Sequence, residues 1–146
     1  MTVFPDGTKE RLHGHGYQAA LTAHLKSYAF DQMVPFSVFK QALSEICARW
    51  DEKVLLGETC PFLKIEARSQ SEIAFSLCGK TYRLPADEVQ LLPVDNITVE
   101  NLAAEVLRRL VSALRKSHAL TQVAALEIRV DESEGQGASS YWENIS

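Results

Sequence analysis

Two histidines stand two residues apart in LHGHGY, residues 12 to 17, with Gly14 between them and Tyr17 behind. Residues i and i+2 of a strand share a face. If the segment is a strand, His13 and His15 point the same way, and two converging imidazoles suit zinc. The spacing alone is weak evidence, because two exposed histidines beside a turn would look the same. A catalytic zinc usually takes three protein ligands and keeps one position open, so the pair needs a third donor. His24 has the wrong parity if the strand runs continuously from 12 to 26. His118 follows a helical stretch and has no evident route back. A glutamate such as Glu10 can serve in principle.

The other reactive types offer less. Cys47, Cys60 and Cys78 are odd in number and form no CxxC pair, so they are read as reduced thiols of a cytoplasmic protein. None lies beside a histidine in sequence, which leaves a cysteine nucleophile without local support. The densest basic stretch, Arg108, Arg109, Arg115 and Lys116, reads as a solvated helix face. The net charge of −4 argues against a nucleic-acid surface, which needs a basic patch. No apolar run reaches the ~18 residues that would suggest a membrane span. The opening MTVFPDGTKER lacks a basic start followed by an apolar core, so no secretory leader is expected there. With 146 residues, 46% of them apolar, the chain is long enough for one domain around one core.

The elements that must position these residues follow from periodicity. Residues 17 to 26 alternate, with Tyr17, Ala19, Leu21, Ala23 and Leu25 on one face, a half-buried strand. Pro35 opens a helix whose stripe is Phe36, Phe39, Leu43, Ile46 and Trp50. Leu63, Ile65 and Ala67, then Ile73, Phe75 and Leu77, alternate around a polar SQSE turn, and Gly79 marks a second turn or a bulge. Thr98 caps a second helix, with Glu100 in its first turn and Val99, Leu102, Ala103, Val106, Leu110 and Leu114 as its buried stripe. LEIRV, residues 126 to 130, is read as the last strand, followed by the glycine-rich EGQGASS. The order predicts an α+β domain: an antiparallel sheet, most connections being short, with both helices on one face.

Several spaced motifs, in order, resemble the 6-pyruvoyltetrahydropterin synthase and 6-carboxytetrahydropterin synthase family. RLHGHGY resembles its zinc strand. MVPFSVFK resembles the stretch that opens the first helix, with Pro35 where an aspartate is usual. WDEKVLL resembles its LDH segment, LPVDNITVENLA its N-x-T-x-E helix start, and LEIRVDESEGQGASSY its last strand and glycine-rich tail. The resemblance implies the tunnelling fold, an antiparallel sheet with two helices on one side, in subunits that join as trimers or hexamers. It implies a zinc-dependent lyase acting on 7,8-dihydroneopterin triphosphate by side-chain elimination or cleavage. Carried over, His13 and His15 match zinc ligands, Glu132 the carboxylate that anchors the pterin, Thr98 and Glu100 the helix-start motif, and Asp51 the aspartate of a catalytic aspartate–histidine pair.

Three departures accompany the likeness. The family's third zinc histidine lies on a strand upstream of the HxH pair, a place that falls before Met1, so the chain as given is expected to lack that first strand. The catalytic cysteine is absent. Glu10 instead matches a variant in which glutamate replaces it and the product is 6-hydroxymethyl-dihydropterin. The histidine of the catalytic pair is replaced by Glu52, which can act there only if burial raises its pKa. The hairpin between residues 57 and 92 has the look of an insertion. Two rival readings stand beside the enzyme: a non-catalytic pterin- or purine-binding homologue, and an inactive, N-terminally truncated form.

Overall fold

The computed structural model describes residues 1–145. Among the described residues, eight strands, two α-helices and two short 3-10 turns form an α+β fold, with both α-helices packed against an antiparallel sheet. The main sheet has the order β1 (Gln18–Leu25), β7 (Val123–Ser133), β8 (Gln136–Glu143). In β1 the burial alternates strictly, with Ala19, Leu21, Ala23 and Leu25 turned inward, because a period of two meets one apolar face. His24 lies on the opposite, exposed face. Leu126, Ile128 and Val130 of β7 are almost fully buried against the helices.

LEIRV is not the last strand. The chain turns at Glu134–Gly135, where Gly135 has a φ of 79° that a glycine adopts without strain. It then returns as β8, pairing Ile128 with Ser140 and Val130 with Ala138. The small residues of the EGQGASS segment hid this strand because they carry no hydrophobic alternation.

Helix α1 (Phe36–Ala48) begins after Pro35, which stands at the cap position rather than inside the first turn. Phe39 and Ile46 are buried and Val38, Ala42, Leu43 and Trp50 pack beside them, but Phe36 is 56% exposed and leaves the expected stripe. Helix α2 (Val99–Lys116) starts where Thr98 Oγ1 accepts the Asn101 amide at 3.3 Å. Leu102, Ala103, Val106, Leu110 and Leu114 form its buried stripe as expected. The basic stretch on this helix is more than a solvated face. Arg108 and Arg109 both bind the carboxylate of the nearly buried Glu105, at 2.7 and 2.6 Å. Burial would raise that carboxyl, but the two guanidinium groups outweigh it and hold it below its ordinary value.

The region between residues 57 and 92 is a three-stranded meander, β3 (Leu63–Arg68), β4 (Glu72–Leu77) and β5 (Lys80–Pro85). Cys78 and Gly79 make its second turn with φ of 50° and 71°, the left-handed pair that a two-residue hairpin favours. Its core is β4: Ile73, Phe75 and Leu77 form a second cluster with Leu56 and Cys60. β3 is exposed along nearly all its length, Ile65 and Ala67 included. The detour through the meander also brings β2 (Val54–Gly57) and β6 (Val89–Leu92) side by side in parallel, against the expectation of antiparallel pairing.

Candidate active site

His13 and His15 lie outside the sheet, in the irregular segment that leads into β1 at Gln18. The strand argument for their convergence therefore does not apply, yet they converge, with ring centroids 4.2 Å apart. Their backs are tied down. His13 Nδ1 lies 2.6 Å from the Arg11 carbonyl oxygen. His15 Nδ1 meets Glu132 Oε1, brought alongside by β7. A carbonyl or carboxylate oxygen only accepts, so each Nδ1 is the donor of its contact, and in the neutral imidazole that leaves Nε2 with the lone pair a ligand needs. A hydrogen bond of this kind is how proteins orient a metal-binding histidine.

The third donor comes from the N-terminal segment. Residues 2 to 10 fold back on themselves through a Val3–Lys9 antiparallel bridge, and this places Glu10 Oε2 4.0 Å from His15 Nε2. Glu10, His13 and His15 each offer one ligand atom, all within 4.8 Å of one another. Two nitrogens and one carboxylate oxygen form a donor set that can hold a divalent metal such as zinc. Desolvation pushes the Glu10 carboxyl up. The hydrogen bond from the Thr2 amide, with His15 and His13 beside it, outweighs this and holds it below its ordinary value. Tyr17, whose ring lies 5.6 Å from that of His15, is pushed up to about 12 by burial, with Glu132 and Glu10 adding to the shift.

His13, His15 and Tyr17 open into a cavity of about 810 Å³ between β1 and the C-terminal end of α1. Asp51, Glu52, Lys53 and Glu88 line it as well. Asp51 and Glu52 sit in the turn after α1, both exposed, and Glu52 adopts a φ of 55°. Cys47 is another lining residue, its thiol pushed up by burial and by the charge of Asp51. Trp50 also lines the cavity. Its ring faces the Arg109 guanidinium at 5.4 Å, and its buried Nε1 has no hydrogen-bond partner among the described residues.

The expected residues thus fall into three groups. Glu10, His13, His15 and Glu132 come together as one cluster. Asp51 and Glu52 line the same cavity as His13 and His15. Thr98 and Glu100 do neither: Thr98 caps α2 and Glu100 is exposed on its first turn. Asn96, two residues before the cap, is the one that reaches towards the site, through hydrogen bonds to Val3. Its signal lay in the same N-x-T-x-E pattern that drew attention to its neighbours.

The profile of the 6-pyruvoyl tetrahydropterin synthase family matches residues 2–143. The chain belongs to this family. It is 28% identical over 137 residues to a Methanocaldococcus jannaschii protein provisionally described as a 6-carboxy-5,6,7,8-tetrahydropterin synthase, covering 93% of this chain and 83% of that one. The fold is that of solved 6-pyruvoyl tetrahydropterin synthases from Plasmodium vivax, at a TM-score of 0.86 and 21% identity, and Plasmodium falciparum, at 0.86 and 23%. Each comparison covers 98% of this chain and 88% of the other. The Plasmodium vivax protein has also been solved with a catalytic glutamate replaced by alanine and by cysteine. No helix among the described residues is long and apolar enough to cross a membrane.

Proposed function

We propose that this family member is a zinc-dependent lyase that eliminates or cleaves the side chain of 7,8-dihydroneopterin triphosphate or a close relative. The observation that carries the reading is the Glu10–His13–His15 donor set beside a ligand-sized cavity, in a chain of this family. Bound there, zinc would supply Lewis-acid polarisation of the side-chain hydroxyl and carbonyl oxygens, which acidifies the neighbouring protons. His13 and His15 offer their Nε2 atoms to the metal, and Glu10 is the third protein donor. Glu132 holds His15 by one oxygen. A carboxylate has about four lone-pair sites, so acceptors remain for a pterin amino group and ring N–H. Asp51 and Glu52 also line the cavity, and in this reading they exchange protons with the side chain.

A second role for Glu10 is favoured by the catalytic glutamate of the Plasmodium vivax relative: the base that takes a substrate proton. Glu10→Gln separates the two. A ligand role predicts loss of both bound zinc and turnover. A base role predicts that zinc stays and turnover goes. The homo-oligomer, trimer or hexamer, that the family implies finds support in a run of exposed apolar side chains from the end of β1 to the start of α1: Tyr28, Phe30, Met33 and Phe36 are all more than half exposed.

The test of the function is turnover of dihydroneopterin triphosphate by the zinc-loaded protein, with product identified by mass. A released triphosphate or a shortened side chain supports the lyase. Tight pterin binding with no product supports the binding homologue instead.

A further inference from the structure

We infer that Asn96 is a positioning residue for the site: it clamps the N-terminal segment so that Glu10 faces His13 and His15. This rests on the metal reading of that cluster.

Nothing in the local sequence dictates where Glu10 should point. It is half-buried, it precedes the first strand of the main sheet, and residues 11 to 17, which separate it from that strand, belong to no helix or strand that could steer it. Its direction is set by residues remote in sequence. Asn96 Oδ1 accepts the Val3 amide at 2.9 Å, and Asn96 Nδ2 donates to the Val3 carbonyl oxygen at 2.8 Å. One side chain thus satisfies both backbone groups of Val3, as a neighbouring strand would. Beside it, Thr2 Oγ1 donates to the Ile97 carbonyl oxygen at 3.1 Å. Thr2 then closes on Glu10 twice: its amide donates to Glu10 Oε2 at 3.1 Å, and its carbonyl oxygen accepts the Glu10 amide at 3.1 Å. The carboxylate that meets the histidines is therefore held by Thr2, and Thr2 by the loop that enters α2.

The clamp is itself anchored. Asn96 Oδ1 also accepts the Ile97 amide at 2.9 Å, and the Asn96 carbonyl oxygen accepts Asn101 Nδ2 at 3.0 Å. The acceptor side is thus fixed to the first turn of a long, well-packed helix. The meander supports the same segment from beneath. Val3 packs on the Leu56–Phe75–Leu77 cluster, and the Lys9 ammonium lies 5.2 Å from the centre of the Tyr82 ring. The strands of the meander are thereby the floor on which the Glu10-bearing segment rests.

Cobalt(II) titration tests the inference, since its visible spectrum reports the number and type of ligands. The parent, Asn96→Ala, Thr2→Val, Glu10→Ala and the double variant Asn96→Ala/Glu10→Ala are compared. Thr2→Val removes the hydroxyl tie without touching the start of α2, so it reads the clamp even if Asn96→Ala folds poorly. The expected result is a cobalt affinity lowered about 10-fold or more in Asn96→Ala, the usual size for an outer-shell partner. Its spectrum moves towards that of Glu10→Ala, Thr2→Val shifts the same way by less, and Asn96→Ala adds nothing once Glu10 is gone. Cobalt binding weakened by Glu10→Ala but unchanged by both clamp variants overturns this inference and leaves the metal reading intact. Equal losses from Asn96→Ala with and without Glu10 also overturn it, because Asn96 would then act through the fold. Failure of the parent to bind cobalt overturns both.

Discussion

Oε1 of Glu132, near the end of β7, meets Nδ1 of His15, in the segment before β1. The contact fixes the ring's tautomer and orientation, so Nε2 is the nitrogen that faces Glu10. Glu132→Ala removes that restraint and should weaken metal binding 10- to 100-fold, the range for such partners, with little change in the unfolding midpoint of the metal-free protein. Competition with a chromophoric chelator measures it. An unchanged affinity would show that His15 is held by other means.

Glu10 also gives the metal-free protein a pH signature. Its carboxyl lies below the ordinary glutamate value in the folded chain, so folding favours the ionised form. The stability this contributes is present above the ordinary value, about 4.3, and is lost as pH falls through the lower folded value. Urea unfolding of the parent below that point should therefore show a decline that Glu10→Gln makes shallower. Parallel curves for the two would remove the contribution.

In the Glu105 network, a nearly buried carboxylate is shared by Arg108 and Arg109, and Arg109 is the less exposed partner. Arg109→Met leaves one guanidinium to satisfy it. The expected cost is about 1–3 kcal/mol, the penalty for an under-paired buried polar group, read from urea unfolding. A stability equal to the parent's would mean that Arg108 alone suffices.

Gly57 ends β2 where a Cβ would lie 2.7 Å from the Val94 carbonyl oxygen and 3.1 Å from the Asn96 amide nitrogen. Gly57→Ala must push the 94–96 loop away, at a cost of about 1–3 kcal/mol. Because that loop carries Asn96, metal affinity should fall along with the thermal midpoint. A variant that melts lower but binds metal as before would uncouple the loop from the site.

Much of this was legible along the chain. The parity of β1 could be read because a two-residue period meets a single apolar face, and α2 because its stripe and its Thr98 cap agree. The histidine pair was visible, although its convergence comes from Arg11 and Glu132 holding the rings rather than from a strand. Other features left no local trace. VLLG and VQLL show no alternation, so nothing marked β2 and β6 as a parallel pair. β8 begins with QGASS, which carries no apolar alternation, and it is recognised as a strand only from its pairing with β7. The contacts of Glu132 with His15 and of Asn96 with Val3 join residues far apart in sequence, and only the folded chain brings them together.

The most direct test of the central claim is metal content per chain, by mass spectrometry on protein purified without added chelator, with His13→Ala and His15→Ala alongside. The account predicts close to one zinc per chain in the parent and its loss in both variants. Parent protein without zinc that also fails to take it up on addition would contradict it, and the pterin chemistry proposed for the cavity would fall with it.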